Sequence, residues 1–384
     1  MRKIWGISVN VLLLGIVSFL NDTSSEMIIP ILPMFITALG GSGVAIGLVG
    51  GFRDSIANIL KVLCGYFSDK LGKRKIFVSS GYLTSAFFKL MLFFSKVWQH
   101  VLLISSFERI GKGLRTAPRD AIIADTMKKK RGKGFGVHRA FDTSGAILGS
   151  LLAFLFFWYL GLNFRSIILI AGIISFFSLL PLCFVREKKG KKRKISLEIS
   201  FKRLPKSLKL FILIAIIFAL GNFSYMFFIL RAKEFFVGKY STGIPILLYV
   251  VFNVFYALFA VPFGSLSDRI GRKKVIVSGY FLFFLTCLGF VFANSSTSFF
   301  FLFALYGLVY AMIDGNQRAF VSDLSLKDLR ATALGTFHTS VGLATLPASV
   351  IAGFLWQYIS PIATFVYGGI MSLISVIIFL LIKG

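Results

Sequence analysis

Acidic and basic residues recur at helical spacing inside segments of this sequence that are otherwise strongly apolar. Asp22 and Glu26 are four residues apart, so they lie on one face of a helix. Asp54 and Lys61, seven residues apart, share a face of the next segment. A charge at mid-bilayer costs roughly 2.5–3.5 kcal/mol, so such groups should face a partner or a polar cavity. A carboxylate held away from water takes up a proton more readily, which makes Asp22 and Glu26 candidates for loading and releasing protons.

The densest group of charges lies between residues 99 and 125. One helical stripe there carries Glu108, Lys112, Arg115 and Arg119, flanked by Arg109 and Asp120. The segment that follows adds His138, Arg139 and Asp142. The cations of the stripe favour an anionic or zwitterionic ligand. Within the central set of this half, however, the acids Asp22, Glu26, Asp54 and Glu108 are balanced by the bases Arg53, Lys61, Arg109 and Lys112, so the preference for one sign is weak.

Two interpretations of these charges are open at this point. Either acids and bases neutralise each other and hold the first half together, or they line a cavity in which carboxylates carry protons and cations hold a ligand. Arg119 and His138, near predicted cytoplasmic helix ends, favour the first. Phe223, Phe227 and Phe228 either form an apolar wall of that cavity or pack internally. The cavity residues of the second interpretation are Asp54, Lys61, Glu108, Lys112, Arg115, Asn222, Tyr225 and Asp314.

The elements that carry these residues follow from the composition. Hydrophobic residues make up 57% of the 384 residues, 15% are charged, and the mean hydropathy is +0.84. Soluble domains contain about a quarter charged residues, whereas several apolar runs here approach the ~20 residues that span a bilayer. We predict an all-α membrane protein with twelve transmembrane helices, at 6–36, 43–68, 76–97, 99–125, 134–160, 165–185, 207–236, 243–267, 275–293, 297–323, 330–358 and 361–382.

The net charge of +28 is concentrated in short linkers between these segments. Alternate linkers, such as residues 38–43, contain no Lys or Arg. This positive-inside pattern, with an even number of helices, places both termini in the cytoplasm. It argues against nucleic-acid binding, and we expect the first apolar segment to be an uncleaved helix. The basic linkers are residues 69–75, 126–133, 186–206 and 268–274.

The longest basic linker divides the chain into halves of similar length. We predict an N-terminal six-helix bundle at 1–185, a cytoplasmic linker at 186–206 near anionic lipid headgroups, and a C-terminal six-helix bundle at 207–384. The stretch GYFSDKLGKRK at residues 65–75 recurs as GSLSDRIGRKK at residues 264–274, at the equivalent place in the second half. Internal duplication of this kind is typical of secondary transporters.

Both copies resemble the signature loop of the major facilitator superfamily, G-x-L-x-D-R-x-G-R-[RK]-[RK]. Together with the six-plus-six arrangement and the central linker, the resemblance covers the whole chain. It implies two pseudo-symmetric six-helix bundles that transport by alternating access. In the family this loop latches neighbouring helix ends and stabilises one of two transport states. By this resemblance the latch residues are Gly65, Asp69, Gly72, Arg74, Gly264, Asp268, Gly271 and Arg272.

Physical chemistry accounts for the glycines of this loop. Gly65 and Gly264 are expected where neighbouring helices approach closely. Gly72 and Gly271 are expected where the backbone turns tightly, because a side chain would resist that conformation. A loop that only anchors the membrane topology through its positive charges is the alternative.

Two further stretches match motifs of the same family in part. Arg109 begins a match to R-x-x-x-G of the fourth helix, whose arginine is associated with proton coupling, although Lys112 stands where Gln is common. By this resemblance Arg109 joins Asp22 and Glu26 as a proton-coupling residue. Residues 145–150 resemble the antiporter motif G-x-x-x-G-P without its proline, so a close-packing face is the alternative.

The sequence therefore predicts a secondary active transporter of a small organic solute, with no enzymatic activity, cofactor or metal. The resemblance implies proton-coupled export, with uptake of an organic anion by symport or uniport as the alternative. A non-transporting membrane sensor and an acyltransferase built on His138 and Asp142 are further alternatives. No GxxxxGK[ST] motif is present, so direct ATP drive is not expected. We expect a monomer in the cytoplasmic membrane whose partners are the solute, protons or another coupling ion, and the bilayer.

Overall fold

The computed structural model is almost wholly helical. A short antiparallel ribbon precedes the first helix and consists of β1 (Lys3–Ile4) and β2 (Ile7–Ser8). The described residues are 3–4, 6–127, 131–187, 204–325 and 330–381. Most of the linker at residues 186–206 lies outside them, so its position near anionic headgroups stays a prediction.

The helices of the first half occur where the apolar segments predict them. A 3₁₀ turn, Leu92–Phe94, extends the fourth of them. They are α1 (Val9–Ile28), α2 (Leu32–Ala38), α3 (Gly43–Leu71), α4 (Arg74–Met91), α5 (Trp98–Thr126), α6 (Arg131–Trp158), α7 (Phe164–Phe177) and α8 (Leu179–Cys183).

The helices of the second half also follow the predicted segments closely. They are α9 (Lys206–Gly221), α10 (Met226–Phe235), α11 (Tyr240–Ile270), α12 (Arg272–Phe292), α13 (Ser296–Leu324), α14 (Arg330–Tyr358) and α15 (Pro361–Leu381).

Length and composition qualify most of these helices as membrane spans. Eleven helical stretches of the described residues are long and apolar enough to cross a bilayer. Helix α5 is not among them, although it has 29 residues, because its charges interrupt the apolar sequence. With α5 included, the described helices account for the twelve predicted segments, and the prediction of an all-α membrane protein is confirmed.

Besides a one-residue interruption at Ser178 between α7 and α8, two of the predicted segments are broken helices. The first breaks between α1 and α2, around Pro30, because proline has no backbone N–H for the helix and its ring clashes with the preceding turn. The other breaks between α9 and α10, at residues 222–225, and the sequence analysis did not predict it. Gly221 followed by Asn222 is a typical helix-ending signal that could have indicated the break.

Contacts between Cα atoms group the chain into two units. Unit 1 comprises Met1–Phe35 and Ile56–Ser196, and unit 2 comprises Ile36–Ser55 and Leu197–Gly384. Helix α3 therefore begins in unit 2 and ends in unit 1. Because residues 36–55 belong to the second unit, the bundle limits of 1–185 and 207–384 stay a prediction.

Unit 1 is held together by close helix packing. Val11 on α1, Val78 on α4 and Leu182 on α8 are at most 2% exposed and belong to one aliphatic cluster. Lipid chains are as apolar as these side chains, so close van der Waals contact is what favours helix association in a bilayer. Helices α4 and α5 achieve it at Gly81 and Gly111, where an added Cβ would lie 2.6 and 2.5 Å from the carbonyl oxygen of the facing glycine.

Unit 2 has an aromatic core. Phe223, Phe227 and Phe228 are each at most 1% exposed. Phe228 stacks on Tyr306 with ring centroids 4.2 Å apart and meets Phe365 edge-on at 5.2 Å. Such pairs add roughly 0.5–1.5 kcal/mol beyond their buried area. Of the two interpretations of these phenylalanines, internal packing is therefore the one that the structure shows, and the apolar wall is wrong.

Candidate functional site

Two glycines of α6 fix how this helix lies against α1. A Cβ added to Gly145 would lie 2.5 Å from the carbonyl oxygen of Phe19, and one added to Gly149 would lie 2.2 Å from that of Thr23. No real side chain tolerates such distances, so α6 approaches α1 only because both positions are glycine. This confirms the close-packing alternative for residues 145–150.

The packing of α6 against α1 also brings two carboxyl groups together inside unit 1. The carboxyl groups of Asp22 on α1 and Asp142 on α6 lie within hydrogen-bonding range of each other. Ser18 Oγ donates to Asp142 Oδ1 at 2.8 Å, and Asn21 Nδ2 donates to Asp22 Oδ1 at 3.2 Å. Two carboxyl groups share a hydrogen bond only when one of them carries a proton. Asp22 and Asp142, named the carboxyl pair from here on, can therefore hold a proton between α1 and α6.

Cations surround the Asp142 side of the pair. Arg139 Nη1 lies 3.3 Å from Asp142 Oδ2, and Arg119 Nη1 lies 3.9 Å from Asp142 Oδ1. Arg119 also donates to Ser18 Oγ at 3.0 Å and pairs with Asp120 at 3.1 Å. These cations balance the negative charge that the pair retains, because two carboxyl groups with one proton carry one charge.

A buried lysine that the sequence analysis did not single out completes this network. Lys89 on α4 is 1% exposed. Its Nζ donates to the backbone oxygen of Asn21 at 3.0 Å, to Asn21 Oδ1 at 3.1 Å and to Ser175 Oγ on α7 at 3.3 Å. The signal that could have found it is a lone lysine in the apolar run AFFKLMLFF.

The four residues predicted as one stripe of α5 have different surroundings. Arg115 is 4% exposed, donates to Ser85 Oγ on α4 at 2.5 Å and lies over the ring of Tyr82 at 4.6 Å. Glu108 is also buried, whereas Lys112 is exposed. Arg115 therefore ties α5 to α4, and a ligand-binding role for these side chains stays a prediction.

The other proton-coupling candidates also lie in unit 1. Arg109 is 6% exposed, and its Nε lies 3.3 Å from Oε2 of the neighbouring Glu108. Glu26 is half-buried, one turn beyond Asp22 on α1. Gly113, the glycine of the R-x-x-x-G match, lets α3 approach, since a Cβ there would lie 2.6 Å from Leu60 Cβ. Lys61 follows Leu60 and is half-buried.

Unit 2 brings three of the predicted cavity residues to one tyrosine. The side chain of Tyr310 on α13 lies within interaction range of Asn222, at the break between α9 and α10, and it interacts electrostatically with Asp54 on α3 and with Asp314. Asp314 pairs with Arg318 at 2.6 Å. Tyr310 was missed from the sequence because nothing distinguishes it among the 12 tyrosines.

Three more tyrosines extend this polar aromatic group. Tyr256 on α11 donates to Asp314 Oδ2 at 2.9 Å. The ring centroid of Tyr225, a predicted cavity residue, lies 5.6 Å from that of Tyr249. The group as a whole offers hydroxyl, amide and charged groups beside aromatic faces. Among the described residues, no cluster of His, Cys, Asp and Glu could hold a metal ion.

The first latch copy is a triangle of charges in unit 1. Arg74 Nη2 and Nε donate to Asp69 Oδ1 at 2.7 and 3.0 Å, and Nη1 donates to Asp125 Oδ2 at 2.5 Å. The backbone N–H groups of Arg74 and Lys75 donate to Glu187, which satisfies the N-terminus of α4. The loop therefore ties the ends of α3, α4 and α5 together.

The second latch copy repeats the triangle in unit 2. Arg272 pairs with Asp268 at 3.0 Å and with Asp323. In the aligned repeat Arg272 corresponds to Lys73, one residue before the arginine of the first copy. The two copies thus form the same Asp–Arg–Asp arrangement from arginines at different positions.

The glycines of the two copies agree only in part with the prediction. Gly72 and Gly271 have φ of +65° and +98°, as expected for tight turns. A Cβ on Gly65 would lie 3.0 Å from Ala117 Cβ, which confirms a close helix approach. A Cβ on Gly264 would meet no heavy atom within 4 Å among the described residues, so the close approach predicted there is wrong.

Comparison with known protein families decides the family of this chain. The family model described as Major Facilitator Superfamily (MFS) matches residues 14–246 and 211–383. The chain belongs to the Major Facilitator Superfamily. The uncharacterized MFS-type transporter MJ1317 of Methanocaldococcus jannaschii is 58% identical over 380 residues, which cover 98% of this chain and 95% of that protein.

Solved structures show the same fold as this MFS chain. A mutant of the nucleoside transporter NupG superposes with a TM-score of 0.81 at 16% identity, covering 97% of this chain and 99% of that one. The human organic anion transporter MFSD10 (TETRAN) gives a TM-score of 0.69 at 18% identity, covering 97% and 99%. The chain is thus a multi-pass membrane transporter of the MFS fold, and its family is one of transporters rather than enzymes.

The latch of this MFS transporter makes a first prediction. Arg74→Gln removes both carboxylate contacts of the first triangle, which together are worth about 1 kcal/mol for partly exposed pairs. Because 1 kcal/mol is about a fivefold change in an equilibrium, we expect hydrogen–deuterium exchange of residues 65–75 to rise about fivefold. Lys73→Gln is the matched control, since it removes the same charge from the same loop outside the triangle. Equal exchange in the two variants would show that the loop anchors topology only.

Proposed function

We propose that this MFS transporter exports a small organic solute in exchange for protons by alternating access. The carboxyl pair carries the proposal, because it is a proton-binding group between two membrane-spanning helices. Glu26, one turn beyond Asp22 on α1, and Arg109, on α5, are proposed to tune the pair. Export is proposed because proton-coupled export is what the family resemblance implies, and close packing at Gly145 and Gly149 places α6, which carries Asp142, against α1, which carries Asp22.

The proposed cycle requires only that the proton and the solute do not bind to the transporter at the same time. In the state open to the outside, the pair takes up a proton as the solute leaves. In the state open to the cytoplasm, the pair releases the proton and the solute binds. A ligand can shift such an equilibrium only by its different affinity for the two states. The two latch triangles are proposed to stabilise one of these states through their Asp–Arg–Asp contacts.

The polar aromatic group of unit 2 is proposed to bind the solute. Tyr310, Tyr256 and Asn222 offer hydrogen bonds, and Asp314 with Arg318 presents both signs of charge. Aromatic faces lined by a few polar groups are the usual composition of a small-molecule site. Further proposals are a monomer in the cell membrane with both termini in the cytoplasm.

The test couples ligand screening to proton flux. Purified protein is first screened by thermal unfolding, since a ligand at 100 times its Kd adds about 2.7 kcal/mol of stability. Each stabilising compound is then loaded into proteoliposomes with a pH-sensitive dye. We expect its efflux to acidify the lumen, because protons enter as solute leaves. Efflux without any change in lumenal pH would contradict proton exchange.

A second candidate, uptake of an organic anion, is favoured by one observation. Lys112 on α5 is exposed, whereas Arg115 and Arg109 on the same helix are buried in contacts with protein groups. An exposed cation on a membrane helix can meet an anionic ligand directly. The same flux experiment distinguishes this candidate, because symport moves protons in the direction of the solute and uniport moves none.

A further inference from the structure

Lys89 is buried in unit 1 at a position that the proposed mechanism has not yet used. It lies on α4, with α1 and α7 supplying its hydrogen-bond partners. No carboxylate lies within 4 Å of its Nζ among the described residues. An intramembrane lysine without a directly paired acid is costly, since insertion scales give roughly 2.5–3.5 kcal/mol at the helix centre. A merely packing role would be served better by an apolar residue.

The surroundings of Lys89 match its ammonium form. An ammonium has three N–H donors and no acceptor. The three atoms around Nζ are acceptors that fit these donors: the backbone oxygen of Asn21, Asn21 Oδ1 and Ser175 Oγ. Ser175 Oγ in turn donates to Asn21 Oδ1 at 3.4 Å. The positive charge is therefore solvated entirely by neutral protein groups.

Asn21 passes this contact on to the carboxyl pair. Because Lys89 and Ser175 both donate to the oxygen of the Asn21 amide, the amide can have only one orientation. Its Nδ2 then points to Asp22 and donates to Oδ1 at 3.2 Å. The chain of contacts therefore runs from the ammonium through one amide to the carboxyl group.

Other charges act on the same groups from α5 and α6. Asp22 faces Asp142 from α6 and Lys112 and Arg115 from α5, and Asp142 faces Arg119, His138 and Arg139. Lys89 faces Glu108, Arg109 and Arg115 from α5. Lys89 differs from the other cations because it alone, among the described residues, reaches Asp22 through a hydrogen-bonded amide that it also orients.

We propose that Lys89 is a positioning residue of the carboxyl pair, which fixes the Asn21 amide toward Asp22 and favours release of the proton. The inference rests on the proposed function, in which the pair loads and releases that proton. A nearby positive charge and a donor aimed at a carboxylate both stabilise the ionised form. Without them the pair should hold its proton more tightly and release it only at higher pH.

The test is a titration that needs no solute. Infrared spectra of the purified protein in lipid report the C=O band of protonated carboxyl groups as pH is raised, and Asp22→Asn identifies the part that belongs to the pair. In Lys89→Met we expect the midpoint of that band to move up by about half a pH unit or more, roughly a threefold gain in proton affinity. Ser175→Ala is the control, because it removes one donor to the amide oxygen but keeps the charge of Lys89 and both contacts of Lys89 with Asn21, and it should titrate like the wild type.

A second variant tests the inference independently if Lys89→Met fails to fold. Asn21→Leu keeps the size of the side chain and the backbone acceptor of Lys89 but removes the donor to Asp22, so it should move the midpoint in the same direction. Wild-type midpoints in both Lys89→Met and Asn21→Leu would overturn the inference. A band that Asp22→Asn does not change would overturn both the inference and the carboxyl pair. Proton exchange itself is judged separately, by the proteoliposome flux.

Discussion

Asp22→Asn is expected to abolish accumulation of the solute against its gradient while leaving downhill exchange in place. Asparagine cannot take up and release a proton, so Asp142 loses the partner with which it shares one. One pH unit across a membrane is worth about 1.4 kcal/mol per proton and, with one proton per solute, supports about a tenfold solute gradient. Without proton exchange, the ratio of solute concentrations should fall from about tenfold to about one.

The measurement is solute accumulation in inverted vesicles under an imposed pH gradient, beside solute-for-solute exchange with no gradient. Asp142→Asn should behave like Asp22→Asn, because either substitution breaks the pair. Asp120→Asn is the matched control, since it removes the same charge in unit 1 but contacts Arg119 rather than the pair. Undiminished accumulation in Asp22→Asn would exclude the pair as the coupling site and make Glu26 the leading candidate for proton coupling.

The fold follows from the sequence because its causes are local. The sequence directly shows apolar segments of membrane-spanning length that are separated by alternating basic linkers. The described helices end close to the limits predicted from these segments. The break at residues 222–225 was missed although Gly221 and Asn222 signal it, because the surrounding segment is apolar enough to read as continuous.

The site follows only in part, because it depends on which helix faces which. The sequence shows that Asp22 must face something polar, but not that its partner is Asp142, since that depends on the register of α1 against α6. The G-x-x-x-G spacing predicts a close contact between helices but does not indicate which helix makes that contact. Arg115 shows the converse, because its spacing within the stripe suits a ligand whereas its contacts are with Ser85 and Tyr82.

Gly149→Ala is expected to destabilise the protein and to uncouple it. A Cβ at this position would lie 2.2 Å from the backbone oxygen of Thr23, which cannot rotate away as a side chain could. Helix α1 or α6 must therefore move, and overpacking of this kind typically costs about 1–3 kcal/mol. The movement separates the helices close to the carboxyl pair, so accumulation of solute should fall together with the midpoint of thermal unfolding.

Gly136→Ala on the same helix separates this packing effect from the general effect of replacing glycine. Gly136 is exposed, and a Cβ there would meet no heavy atom within 4 Å among the described residues. Alanine is the better helix former by about 1 kcal/mol, so Gly136→Ala should leave the unfolding midpoint unchanged or raise it, with normal accumulation. If both variants lowered the unfolding midpoint equally, the contribution of α6 to stability would depend on helix propensity or lipid contact rather than on close packing against α1. If only Gly149→Ala lost both stability and coupling, the close contact between Gly149 and the backbone of Thr23 would be shown to support both the stability of the protein and its coupling to protons.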